Sequence, residues 1–219
     1  MATLAFIHTV PSLIATFKPL AEQELPDWDS FNIADESLLK TTIRQGSLSQ
    51  KTIQRLSQYV FSAADAGADA IVVTCSTLGE AVDAIRPLSS VPLFRIDRGM
   101  AVAAVTRARR IGVLATLPTT LGPTGRLISQ TAATAGRDCS LVEKLCDGAF
   151  ARLADGDRSG HDAMVREGYR TLSATVEIVV LAQASMAAAL TPEDMEAGVP
   201  VLTSPALGMS RIASEILRG

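Results

Sequence analysis

Cys75 sits in the run Ala70–Glu80, AIVVTCSTLGE, where four apolar residues, three of them β-branched, give way to the polar run Thr74-Cys75-Ser76-Thr77. A thiol there can act as a nucleophile or move a proton at carbon. The apolar run fits a buried parallel strand, and the segment from about Leu78 fits a helix. Cys75 is then predicted between a strand's carboxyl end and a helix's amino end, where free backbone N–H groups attract anions and lower a thiol's pKa. The competing reading is a small buried cysteine with no chemistry. Hydroxyls recur at similar places: Thr9, Ser76, Thr77, Thr116, Thr119 and Thr120 all stand just past predicted strand ends. Such groups suit a carboxylate or a developing enolate, and they serve equally as helix caps and turn formers. His8, beside the first of them, reads either as a structural imidazole or as a substrate contact. Asp35, Glu36 and Glu80 read first as the acidic opening turns of helices.

The elements that must position these residues follow from periodicity. Leu4-Ala5-Phe6-Ile7 is a predicted strand, followed by a helix to about Gln23 and a second strand over Trp28–Ala34. Asp35-Glu36 opens a helix, Ser49–Ala66 has helical spacing, and Gly67 ends it. After the Cys75 strand come a helix to about Ile85, a short strand at Val91–Phe94 and a helix over Met100–Ala108. Ile111–Ala115 is a further strand, Thr191-Pro192-Glu193-Asp194 a helix start, and Ser204–Leu217 a closing helix. Cys139 and Cys146 read as strand and core positions. His161, with Asp157, Arg158 and Asp162, reads as part of a solvated charged stretch.

A repeat runs through this order. Thr9-Val10-Pro11 is echoed by Thr116-Leu117-Pro118, the prolines lying 107 positions apart. Ile71-Val72-Val73 returns as Ile178-Val179-Val180 at the same offset of 107, and Val91-Pro92 as Val199-Pro200 at 108. Three matches in one order at nearly one offset predict two similar α/β halves, each a small parallel sheet. The expected division is residues 1–98 and 99–205, with a C-terminal helix over 206–219 packing back on the first half. A pseudo-two-fold pair of Rossmann-like halves would leave a cleft between them. An offset of 107 sets Ala182 against Cys75, and 108 sets Gln183 there; neither is a cysteine.

Composition narrows the function. The 219 residues carry a net charge of −3 and a sequence pI near 5.4, which argues against an electrostatic nucleic-acid binder. No apolar run reaches the length of a membrane span, and the N-terminus reads as a strand rather than a signal peptide. Three cysteines and two histidines build neither a disulfide framework nor a zinc spacing, so no metal is expected and a reducing cytoplasm fits.

Val72–Thr77 (VVTCST), Val179–Ser185 (VVLAQAS) and Arg110–Thr116 (RIGVLAT) together resemble the aspartate/glutamate racemase superfamily. That group includes amino-acid and hydantoin racemases, maleate isomerase and arylmalonate decarboxylase. The resemblance implies a cofactor-independent enzyme acting on a small carboxylate, amino-acid-like or dicarboxylic. In the family's racemases one cysteine works on each face of the substrate. Here Cys75 matches the first cysteine, and Gln183 falls where the second belongs. Ser185 lies nearest to where a histidine commonly follows.

By resemblance, Cys75 and Gln183 are the catalytic positions. His8, Thr9, Ser76, Thr77, Thr116, Thr119, Thr120, Ala184 and Ser185 are then substrate-binding candidates. An amide cannot exchange a proton at carbon on a catalytic timescale, so one-sided chemistry at a single thiol is expected: proton transfer, decarboxylation with one-sided protonation, or nucleophilic addition as in maleate isomerase. The alternative is a non-catalytic small-anion binding or regulatory relative. A nucleotide-binding Rossmann enzyme ranks last, because no Gly-x-Gly-x-x-Gly or phosphate loop follows either opening strand. The expected partner is the small carboxylate, with no nucleic acid and no membrane; a homo-oligomer is left open.

Overall fold

The computed structural model describes residues 1–196 and 198–218. The chain divides into two compact units, one formed by Met1–Gly99 with the segment from Gly208 onward, the other by Met100–Leu207. The first contains β1 (Ala2–His8), α1 (Leu13–Glu24), β2 (Trp28–Ala34), α2 (Glu36–Gln45), α3 (Gln50–Asp65), β3 (Ala70–Val73), α4 (Gly79–Ile85) and β4 (Leu93–Arg95). Helix α5 (Arg98–Arg107) carries the chain into the second unit. There follow β5 (Arg110–Ala115), α6 (Pro118–Thr134), β6 (Ser140–Leu145), α7 (Ala149–Ala154), α8 (Arg158–Ser173), β7 (Ile178–Leu181), α9 (Pro192–Glu196), β8 (Val201–Thr203) and α10 (Ser204–Ile216).

Each unit is a four-stranded, all-parallel sheet, ordered β2-β1-β3-β4 in the first and β6-β5-β7-β8 in the second. Burial on both faces explains the unbroken apolar runs. Strand alternation sorts the first sheet's residues. Ala5, Ile7, Ile71 and Val73 face Leu38, Leu56, Val60 and Val82 from α2, α3 and α4. Leu4, Phe6, Ala70 and Val72 face Phe17 and Ala21 of α1 with Met209, Ile212 and Ala213 of α10. In the second unit, Ile111, Val113 and Val180 pack with α5 and α6, while Leu114, Val179 and Leu181 pack with α8.

Pairing registers resolve the repeat offset. Ile7 pairs with Val73, and Leu114 with Leu181, so β1 maps onto β5 at 107 but β3 onto β7 at 108. One extra residue has entered between the first and third strands of the second unit. Gln183, not Ala182, is therefore the counterpart of Cys75.

Helix boundaries follow local chemistry. Asp35 caps α2 by accepting from Ser37 N–H at 2.9 Å, and Ser49 caps α3 by accepting from Thr52 N–H at 3.2 Å. Three readings shift. The helix expected from Leu78 begins as a 3-10 turn over Ser76–Leu78, with α4 proper starting at Gly79. The strand expected at Val91–Phe94 runs over Leu93–Arg95. His161 is not in a solvated stretch: it is fully buried on α8, with Nδ1 2.7 Å from Asp162. The neighbouring charges misled, because a helix turns each successive residue by about 100° and a buried stripe can run between exposed ones.

Candidate functional site

In a sheet of this strand order, the switch point lies between the two central strands at their carboxyl ends. Thr9 leaves β1 there and Cys75 leaves β3, so the two are neighbours across it. Cys75 has extended backbone at the head of the Ser76–Leu78 turn, closed by Leu78 N–H donating to the Cys75 carbonyl at 3.0 Å. The residue is half-buried. Burial pushes its thiol above the ordinary value. The Thr9 hydroxyl, the N–H groups of Leu78 and Thr77, and the Thr77 hydroxyl pull the other way without winning. The sequence-based expectation of a lowered thiol pKa is thus reversed, since desolvation of the charged form outweighs four favourable donors. Cys75 rests as a protonated thiol at neutral pH.

Behind it a polar chain runs from buried Thr74 through buried His8 to exposed Asn32. His8 Nδ1 meets Thr74 Oγ1 at 2.8 Å, and His8 Nε2 meets Asn32 Oδ1 at 2.9 Å. The imidazole stacks on Phe6 and tilts against Phe17, with no exposed surface. Burial lowers its pKa from 6.5, so it is neutral at neutral pH. With both nitrogens engaged and no surface exposed, His8 supports Thr74, the residue before Cys75, rather than offering an atom to substrate. Asn32 was not expected in the site, and Thr74 was expected only as part of the polar run around Cys75; a threonine adjoining the thiol was the one available signal for them. Ser76 and Thr77 are buried in the turn itself.

The second unit repeats this geometry with different chemistry. Gln183 heads a 3-10 turn over Ala184–Ala189, and Met186 N–H donates to its carbonyl at 3.1 Å, as Leu78 does to Cys75. Gln183 Oε1 accepts from Thr116 N–H at 2.7 Å, and its Nε2 donates to Thr116 Oγ1 at 2.8 Å. Because a backbone N–H can only donate, the amide's orientation is determined. Both ends of Gln183 thus hold Thr116, the counterpart of Thr9. Thr116 and Thr120 are buried, and Thr119 Oγ1 is buried with no hydrogen-bond partner among the described residues. Ala184 and Ser185 are half-buried in the turn.

The structure therefore gathers His8, Thr9, Cys75, Ser76 and Thr77 at one switch point and Thr116, Gln183, Ala184 and Ser185 at the other. Thr119 and Thr120 lie in the first turn of α6, after Thr116. Asp35 and Glu36 are helix-opening residues as read: Asp35 caps α2 and binds Arg55 and Tyr59, while exposed Glu36 pairs with Lys40. Among the described residues, no group of three or more His, Cys, Asp or Glu side chains is arranged to hold a metal ion. No described helix is long and apolar enough to cross a membrane.

Comparison with solved structures places the fold. A Yersinia pestis protein solved as a candidate Asp/Glu racemase superposes with a TM-score of 0.75 at 20% identity, covering 99% of this chain and 100% of that one. Glutamate racemase from Francisella tularensis, in complex with D-glutamate, gives a TM-score of 0.76 at 16% identity over 99% of this chain and 81% of that one. Allantoin racemase from Klebsiella pneumoniae gives 0.70 at 18% identity over 100% and 88%. Among curated proteins no sequence matches significantly. The sequence profile of the Asp/Glu/hydantoin racemase family matches residues 8–212. That match runs from the last residue of β1 into α10 and takes in both switch points, and the chain belongs to the Asp/Glu/hydantoin racemase family.

Proposed function

We propose that this racemase-family protein is a cofactor-independent enzyme that moves a proton on one face of the α-carbon of a small carboxylate, with Cys75 as its one acid/base at carbon. The observation that carries the reading is the difference between two equivalent positions. In one, a thiol heads the turn, with the Thr9 and Thr77 hydroxyls and the Thr77 and Leu78 N–H groups favouring its ionised form. In the other, an amide is occupied with Thr116. The hydroxyls and N–H groups around Thr9, Ser76 and Thr77 are suited to a carboxylate and to the enolate formed from it.

Two reactions fit one thiol. In exchange, the Cys75 thiolate removes the α-proton, the thiol trades it with solvent, and a solvent-derived proton returns to the same face. In decarboxylation of a malonate-type acid, loss of CO2 leaves the carbanion. The Cys75 thiol protonates it from one side, and the resulting thiolate recovers a proton from water. Burial, which keeps Cys75 protonated at rest, favours the second role. For the first role, activity should climb about tenfold per pH unit until the thiol ionises, since the thiolate fraction does.

The test is to incubate α-substituted acids in heavy water and follow deuterium incorporation and optical purity together. Exchange with retention, or single-handed protonation after CO2 loss, is expected, and Cys75→Ser should abolish either while folding normally. Racemisation by the parent protein at the rate of exchange would falsify the one-thiol reading. Full activity in Cys75→Ser would make Cys75 structural. Saturable binding of small anions without turnover would move the protein to the non-catalytic alternative.

A further inference from the structure

The half that carries the thiol also carries a buried ionic network which the proposed chemistry does not use. Arg95, the last residue of β4, is 3% exposed and Asp97 is fully buried. Their contact is bidentate: Nε to Oδ1 at 2.7 Å and Nη2 to Oδ2 at 2.9 Å. Arg95 Nη1 also donates to Asp83 Oδ2 of α4 at 2.5 Å. The other Asp83 oxygen pairs with Arg86 Nη1 at 2.7 Å, and Arg86 Nε returns to the Leu93 carbonyl of β4 at 2.9 Å. Helix α4 is thereby tied to β4 through two arginines. A buried ion pair is weak grounds for stability, because desolvation offsets most of its attraction.

Its location suggests what it does. A Cβ built on Gly79 would lie 2.1 Å from Arg95 Nη2, 2.3 Å from Cζ and 2.8 Å from Nε. The guanidinium thus rests against the backbone where the Ser76–Leu78 turn becomes α4, four residues after Cys75. Cys75 heads that turn, which Leu78 N–H closes on the Cys75 carbonyl at 3.0 Å. The second unit provides a contrast. At the offset of 108, Arg95 corresponds to Thr203, Asp97 to Pro205 and Gly79 to Ala187. Where the thiol is replaced by Gln183, the arginine, its acid and the glycine that admits it are all replaced.

We infer that Arg95 is a positioning residue for Cys75: oriented by Asp97 and Asp83, it packs on Gly79 and fixes the Ser76–Leu78 turn at whose head Cys75 sits. The role rests on the reading of Cys75 as the reacting group, but its test needs no substrate. The measurement is the rate of Cys75 alkylation by iodoacetamide against pH, followed by peptide mass mapping to separate Cys75 from Cys139 and Cys146. Three variants are compared with the parent. Gly79→Ala displaces the guanidinium while leaving every charge in place; Arg95→Lys keeps the charge but loses the bidentate fork; Leu25→Ala opens a cavity in the same unit at the end of α1, away from the turn.

Loss of ordered N–H donors disfavours the thiolate, so the alkylation midpoint should rise in Gly79→Ala and Arg95→Lys. At a fixed pH below the midpoint, this appears as several-fold slower labelling. Leu25→Ala should label like the parent. Parent-like profiles in whichever of Gly79→Ala and Arg95→Lys folds would overturn the inference, as would an equal shift in Leu25→Ala, which would trace the effect to general destabilisation. A shifted profile in a protein without turnover would leave the positioning role standing and remove only the catalytic reading.

Discussion

Thr9 and Thr116 occupy the same place in the two repeats, yet one hydrogen-bonds a thiol and the other an amide. The difference extends inward. Behind Cys75 stand Thr74 and His8; behind Gln183 the equivalent residues are Ala182 and Ala115, both fully buried. A polar, hydrogen-bonded support accompanies the reactive group, and plain packing accompanies the amide. Replacing Gln183 by cysteine releases Thr116 N–H and Oγ1, at a cost on the order of 1 kcal/mol for the hydrogen bonds lost. On an acid that the parent exchanges with retention, Gln183→Cys is expected to add racemisation, read as loss of optical rotation alongside deuterium uptake. Unchanged optical purity in a folded Gln183→Cys protein would show that a thiol at this position reaches no reacting carbon.

At the scale of elements, helix α10 illustrates how tightly the first unit is assembled. Met209, Ile212 and Ala213 enter the core with Leu4, Phe6 and Val72. Gly208 precedes them, and a Cβ there would fall 2.1 Å from the Ile96 carbonyl oxygen and 2.6 Å from Ile96 Cδ1. The first of these is backbone and cannot swing aside. Gly208→Ala should therefore destabilise by about 1–3 kcal/mol, the usual range for overpacking, measured as a lower urea midpoint. A change within error would mean that α10 shifts freely on the sheet. Gly79 makes the same point next to the candidate site: a missing side chain lets a neighbour approach the backbone.

For the whole molecule, the most direct solution signature is its dependence on pH. Folded His8 resists protonation because burial disfavours its charged form. As the pH falls below the ordinary 6.5, the unfolded chain takes up a proton that folded His8 does not, so stability declines. Asp35 adds to this at lower pH. Burial alone would raise its pKa, but hydrogen bonds from Ser37 and Tyr59, together with Arg55, hold it below the ordinary 3.8. Its contribution is present above that value and is lost as the pH drops through the lowered one. The expected urea midpoint is level near pH 7, falls as the pH passes below 6.5, and falls further below about 4. His8→Gln should flatten the segment between pH 6.5 and 5. An undiminished slope there would assign it to other groups.

Much of this architecture was legible along the chain because its causes are local. β-Branched runs marked the strands, Trp28–Ala34 to the residue. Asp35, Ser49 and Thr191-Pro192 marked helix starts, and spaced echoes marked the repeat: those at Pro11/Pro118 and Val91-Pro92/Val199-Pro200 are in register, while Ile71-Val72-Val73 and Ile178-Val179-Val180 are one residue out of step. The candidate positions Thr9, Cys75 and Thr116 followed from the same signals, since each lies where a strand stops. Other features depended on groups far apart in sequence. Whether Gln183 or Ala182 answers Cys75 was decided by strand register, which a one-residue insertion shifts without altering the hydrophobic pattern. The direction of the Cys75 pKa was decided by how much protein surrounds the sulfur, a sum over many elements. His161 was buried by helix rotation, and Arg95 reached Gly79 only because β4 pairs beside β3. Local chemistry along a chain announces where elements begin and end; burial, register and charge pairing are properties of the packed whole, and they decided which side chains meet.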